Sequence, residues 1–222
     1  MVSLLANIGI IFLAFYFYLR SKLGILAYQE NRKISYFIKC VFAEVLLGMI
    51  LLSFSIVIMD IRFDFRFLLF CFSAKYLDWK ITNSSIVLLA ILRFFWGSID
   101  IAQTNLLASI MIAVTLPLLV HYTKDKMSDL SQLLILVTIS IIPTILITNH
   151  VIADKSLVLT IGLMLFACGY AATFIMYHFI TDLYSLIASA NTDDLTTLKN
   201  ERTFNAKLLE IERNMQSVTV AM

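Results

Sequence analysis

The feature that most constrains this chain is a series of apolar runs, each close to the ~20 residues a helix needs to cross the hydrocarbon core of a bilayer. They fall at 2–19, 36–59, 101–120, 130–148 and 157–180. Two shorter runs, 65–77 and 81–96, are interrupted by Lys75 and Arg93, with Lys80 between them. These read either as two tilted crossings or as a hairpin dipping in from one side, and both choices leave the parity of the topology unchanged. The fold predicted from this pattern is an all-α polytopic membrane bundle of five spans plus two short ones.

Composition supports the same class. Of the 222 residues 60% are hydrophobic and 14% charged, and mean hydropathy is +0.90, outside the range of ordinary soluble domains. Six glycines and two prolines leave little turn chemistry, which argues against a membrane β-barrel and a disordered chain. A net charge of +2 gives no basic face for nucleic acid, so none is expected as a partner. Cys40, Cys71 and Cys168 each sit inside an apolar run without C-x-x-C spacing, and read as small buried hydrophobes rather than metal or redox sites.

Charge distribution sets the orientation. No basic residue precedes the first run, and Arg20 and Lys22 follow it, so it reads as a retained helix that starts outside rather than a cleaved signal. With the carboxyl end inside, the inner connections carry eight cations: Arg20, Lys22, Arg32, Lys33, Lys75, Lys80, Lys124 and Lys126. The outer ones carry three, Arg62, Arg66 and Lys155. The predicted orientation is amino terminus out and carboxyl terminus in.

Several polar residues fall within the runs. Glu44 lies eight positions beyond Tyr36, about 12 Å into its helix at ~1.5 Å per residue. Arg93, counted from Thr82, falls at a comparable depth, and a lone charge there is costly unless paired or hydrated. The two are expected to pair, either as a fixed ion pair orienting helices or in a ligand-sensing or proton-linked role. Pro117 and Pro143 each permit a kink within a span. The segment Asp60-Ile-Arg62-Phe-Asp64-Phe-Arg66 alternates charge with bulky apolar groups. It reads as a snorkelling interfacial loop, with the rim of an outward-facing ligand pocket as the functional alternative, the ligand being unknown. His121, His150 and His178 are scattered singly, and no chemistry is assigned to them.

After the last span the character changes. Phe179, Leu183, Leu186 and Ala190 would form one apolar stripe on a helix leaving the membrane, able to seed a parallel coiled coil in a homodimer. A polar turn from Asn191 then leads to a helix capped at Asn200, with Phe204, Leu208, Ile211 and Met215 at helical spacing, and Val218, Val220 and Met222 alternate as in a strand. These 32 residues cannot bury a core alone.

The stretch from Asp193 to Phe204 resembles the entry motif of GGDEF domains, the diguanylate cyclase family, with matches at Asp193, Leu195, Thr196, Leu198, Asn200, Arg202 and Phe204. Thr197 stands where the family favours Gly, and Glu201 where it favours Arg. The resemblance implies a cytoplasmic α/β domain that condenses two GTP molecules into cyclic di-GMP with Mg, of which this chain carries the first turn, helix and strand. No position here matches a family metal ligand, guanine contact or signature residue. No catalytic, cofactor-binding or metal residue is therefore assigned, no cofactor is expected in this chain, and it is expected to be catalytically incomplete by itself. Asp64-Phe-Arg66, the two short helices, Arg93 and Gly97 also resemble the LytS-type multi-helix receptor module.

The expected organisation is a transmembrane sensor bundle over 1–180, a signalling linker helix over 181–190 and the amino-terminal fragment of a GGDEF domain over 191–222. A small-solute transporter or channel is the alternative, suggested by Glu44 and Arg93 within the bundle but lacking Gly-containing broken half-helices.

Overall fold

The computed structural model describes residues 2–24, 34–58, 61–95, 98–191 and 204. The described residues form helices α1 (Val2–Gly24), α2 (Ile34–Ser53), α3 (Arg66–Tyr76), α4 (Trp79–Leu92), α5 (Ile99–Thr123), α6 (Asp129–Val151) and α7 (Lys155–Asn191). A two-stranded antiparallel hairpin, β1 (Ile56–Ile58) and β2 (Ile61–Phe63), joins α2 to α3, and a 3-10 turn at Arg93–Phe95 follows α4.

Four of these helices carry segments long and apolar enough to cross a membrane: Tyr36–Ser53, Ile99–Thr123, Asp129–Val151 and Lys155–Leu186. In α1, a helix of 23 residues, the described apolar segment is Ser3–Tyr18. Among the described residues, four of the five expected spans are thus matched by helices long and apolar enough to cross a membrane. Pro117 and Pro143 lie inside α5 and α6, which run through them without interruption.

Contacts divide the chain into two units, Met1–Phe12 with Lys33–Met176, and Leu13–Arg32 with Tyr177–Met222. In the first, α2 packs on α4, α4 on α5, α5 on α6, and α3 lies against α6 and α4. The fully buried side chains include Phe63, Phe65, Phe72, Leu51, Leu52 and Leu68, so this unit's core gathers around the hairpin and α3. Apolar residues on the flanks of the long helices, such as Leu107, Val114, Leu118 and Leu163, are more than half exposed, as lipid-facing side chains would be.

Close approach is local. At Gly48 a Cβ would stand 2.3 Å from Cδ1 of Leu89, so the missing side chain lets α2 reach α4. Gly169 on α7 faces Phe67 and Ile141. A polar latch holds the opposite end of α3 from the hairpin: Lys75 Nζ pairs with Asp129 Oδ1 at 2.7 Å and also donates to Gln132. The Gln132 amide donates in turn to the carbonyl of Val120 and the hydroxyl of Thr123. From the sequence alone Lys75 reads as an interruption of an apolar run and as an inner-side charge.

In the second unit, rings of Tyr16 and Phe179 lie 6.4 Å apart. Helix α7 is one continuous helix of 37 residues through the expected linker positions. Leu186 on the expected stripe is 68% exposed. Of the GGDEF-like motif, Asp193, Leu195, Thr196, Leu198, Asn200 and Arg202 lie outside the described residues, and Phe204 is helical and exposed.

Candidate functional site

The segment expected as an interfacial loop is a hairpin, with Ile56 opposite Phe63, Val57 opposite Arg62 and Ile58 opposite Ile61. The alternation of charge and bulk is a strand's period of two. Ile61 and Phe63 are buried while Arg62 between them is part-exposed. Asp60 lies outside the described residues.

Asn7 on α1, fully buried, clamps both ends of this hairpin. Its Nδ2 donates to the carbonyl of Phe54 at 3.0 Å and to that of Ser3 at 2.9 Å, and its Oδ1 accepts from the backbone N–H of Phe65 at 3.3 Å. One side chain thereby satisfies a carbonyl just past α2 and an N–H just before α3, groups that helix ends leave without intrahelical partners. Phe65 occupies the N-cap of α3 without a side-chain oxygen to offer, and Asp64 supplies one. Asp64 Oδ1 accepts from the Arg66 backbone N–H at 3.0 Å and from Arg66 Nε at 2.8 Å. Arg62 Nη1 donates to Ser55 Oγ at 3.3 Å, and Ser55 donates to the carbonyl of Leu52.

Beneath this rim is a cavity of about 80 Å³. Arg62, Asp64 and Arg66 line it, so three of the four expected rim residues border one space. Its other polar walls are Asn105 and Ser109 of α5 and Thr144 of α6, and Leu165 of α7 closes part of the apolar side. Asp64 Oδ2 is buried without a hydrogen-bond partner. Two guanidinium groups, a carboxylate and three neutral polar groups over an apolar floor suit a small polar solute. The sequence reading missed Asn7, Asn105, Ser109 and Thr144, since single polar residues inside long apolar runs carry no spacing signal.

Glu44 and Arg93 are not brought together. Glu44 Oε2 lies 2.9 Å from Ser73 Oγ, which lies 2.8 Å from Thr82 Oγ1, and among the described residues no ion pair joins Glu44 to Arg93. Through Ser73, Glu44 is linked to Thr82 in the first turn of α4. Arg93, 1% exposed, comes eleven residues later, about 16 Å further along the axis. The expectation equated distance from each helix start with depth, but Glu44 is ten residues into α2 and Thr82 only three into α4.

No group of three or more metal-ligating side chains occurs among the described residues. Comparison with protein-family models, with curated proteins and with solved structures finds no match.

Proposed function

We propose that this chain is the input half of a membrane sensor of the diguanylate cyclase family, in which a small solute held under the hairpin rim biases α7 and, through it, a GGDEF output domain. The observation that carries the reading is that one cavity is bordered both by Arg62, Asp64 and Arg66 and by Leu165 of α7. At ~1.5 Å per residue the 37 residues of α7 extend about 55 Å, against ~30 Å of hydrocarbon. Its far end at Asn191 adjoins the GGDEF-like motif. Solute contact at one part of a continuous helix is a means of biasing whatever follows it. Homodimerisation through positions 181–190 belongs to the same proposal, because the cyclase reaction needs two GTP-binding domains facing each other.

The test extends the polypeptide through the reading frame beyond codon 222 and supplies GTP and Mg. The expected frame continues with a metal-binding Asp and a Gly-Gly-Asp/Glu-Glu-Phe signature, and the product makes cyclic di-GMP at a rate altered by filling the cavity with Ser109→Phe. A frame that encodes no such signature, or a rate indifferent to Ser109→Phe, overturns the reading.

A further inference from the structure

Outside the cavity, the most unusual feature of the bundle is a buried carboxyl at the middle of a membrane-crossing segment. Glu44 is the ninth of the 18 residues of Tyr36–Ser53 and is 5% exposed. The charged groups on the elements packed around it are committed elsewhere or distant. Lys75 on α3 is held by Asp129 and Gln132, and Arg66 by Asp64. Lys39 on α2 and Lys80 on α4 are exposed. The Asp78 carboxylate accepts from the Lys80 N–H as the cap of α4, and Arg93 lies at the other end of that helix. What touches Glu44 is a row of hydroxyls.

The row has a defined length. Glu44 Oε2 meets Ser73 Oγ at 2.9 Å, Ser73 Oγ meets Thr82 Oγ1 at 2.8 Å, and Thr82 Oγ1 donates to the backbone carbonyl of Asp78 at 3.2 Å. Ser85, the other hydroxyl beside Glu44, gives its proton to the Ile81 carbonyl at 3.0 Å. Three links need three protons. The carbonyl can only accept, and each hydroxyl has one proton to give. The Ser73 hydroxyl donates to Glu44 and the Thr82 hydroxyl to the Asp78 carbonyl, which leaves no hydroxyl proton for the Ser73–Thr82 link; all three links are made together only when Glu44 carries a proton of its own and Ser73 turns its hydroxyl to Thr82.

We infer that Glu44 is a proton-binding site whose bound proton completes the hydrogen-bonded row through Ser73 and Thr82. The chain ends at Asp78, beside the exposed Trp79 and Lys80. With the proton bound, all three links are made and α2 is tied to α3 and α4. Without it, two protons serve three links and a bare charge stands between the three helices, where desolvation is costly. The Ser73 hydroxyl then turns to Glu44 and its link to Thr82 opens, so that α3 loses this tie to α4. This device is independent of the identity of the output domain.

The test is infrared difference spectroscopy, between alkaline and acid pH, of the full chain in phosphatidylcholine liposomes. A C=O band from a protonated, hydrogen-bonded carboxyl is expected to appear on acidification, to be lost in Glu44→Gln and to be retained in Asp182→Asn. Thr82→Val removes the link to Asp78 and is expected to shift that band to the frequency of a more weakly bonded acid. Should Glu44→Gln not accumulate in membranes, the wild type with Ser73→Ala and Thr82→Val reads the same shift. Absence of the band in the wild type, its persistence in Glu44→Gln, or a band unmoved by Thr82→Val overturns the inference.

Discussion

Arg66 Nε lies 2.8 Å from Asp64 Oδ1, and the same oxygen accepts the Arg66 backbone N–H at 3.0 Å, so one carboxylate oxygen both starts α3 and fixes the cation at the cavity's rim. Asp64→Ala removes the cap and the ion pair together. Loss of an N-cap oxygen typically costs about 1 kcal/mol, and a further loss is expected from releasing the part-buried guanidinium. Asp64→Asn keeps the acceptor but not the charge, and should lie between the two. Thermal midpoints in detergent micelles check the order.

Asn7 predicts a larger effect for a neutral side chain. Asn7→Leu leaves the Phe54 carbonyl and the Phe65 N–H buried without their partner, a penalty of roughly 1–3 kcal/mol for an unsatisfied buried group. Asn7→Asp retains the acceptor for Phe65 and loses the donor for Phe54. Amide hydrogen exchange at Phe65 should accelerate in Asn7→Leu and not in Asn7→Asp; equal acceleration in both would contradict the clamp.

These two examples show what was legible in the sequence. Long apolar runs announced the helices, because hydrocarbon demands continuous apolar length and nothing else in a chain produces it. The charges Arg62, Asp64 and Arg66, expected at an apolar boundary because ions there must reach water, border one cavity. The hairpin escaped notice because strands of three residues are too short for a period-two pattern to stand out from a charged loop. Asn7, Ser73 and Thr82 escaped because their roles depend on partners 9 to 58 positions away. Glu44 is buried against Ser73 while its expected partner Arg93 lies at the far end of α4, and relative position along neighbouring helices depends on where each begins.

Gly48 tests the packing of α2 on α4. In Gly48→Ala the new methyl meets the Leu89 side chain, which is 1% exposed and has little room to withdraw. Overpacking of this kind costs about 1–3 kcal/mol. Gly48→Ala combined with Leu89→Ala should be less destabilised than the sum of the two single changes, and strict additivity in a double-mutant cycle would contradict the contact.

Asp154 provides a pH-dependent prediction outside the membrane-spanning segments. Its carboxylate accepts from the Ser156 hydroxyl at 2.7 Å and from the N–H groups of Ser156 and Leu157, and the hydroxyl bond above all holds its pKa below the usual aspartate value. A depressed folded-state value means that its stabilisation is present above the unfolded pKa and is lost as pH falls through the folded one. Site-resolved NMR titration should place Asp154 below an ordinary aspartate, and Ser156→Ala should move it back up.

The most direct measurement of the sensor reading is the sidedness of hairpin and tail. With Cys40, Cys71 and Cys168 replaced by serine, a single cysteine is placed at the exposed Val57 or at Phe204 and probed with a membrane-impermeant maleimide in sealed right-side-out vesicles. The expected result is labelling at position 57 in intact vesicles and at position 204 only after permeabilisation. Labelling of both positions from the same side would contradict a rim that senses on one face and a tail that responds on the other.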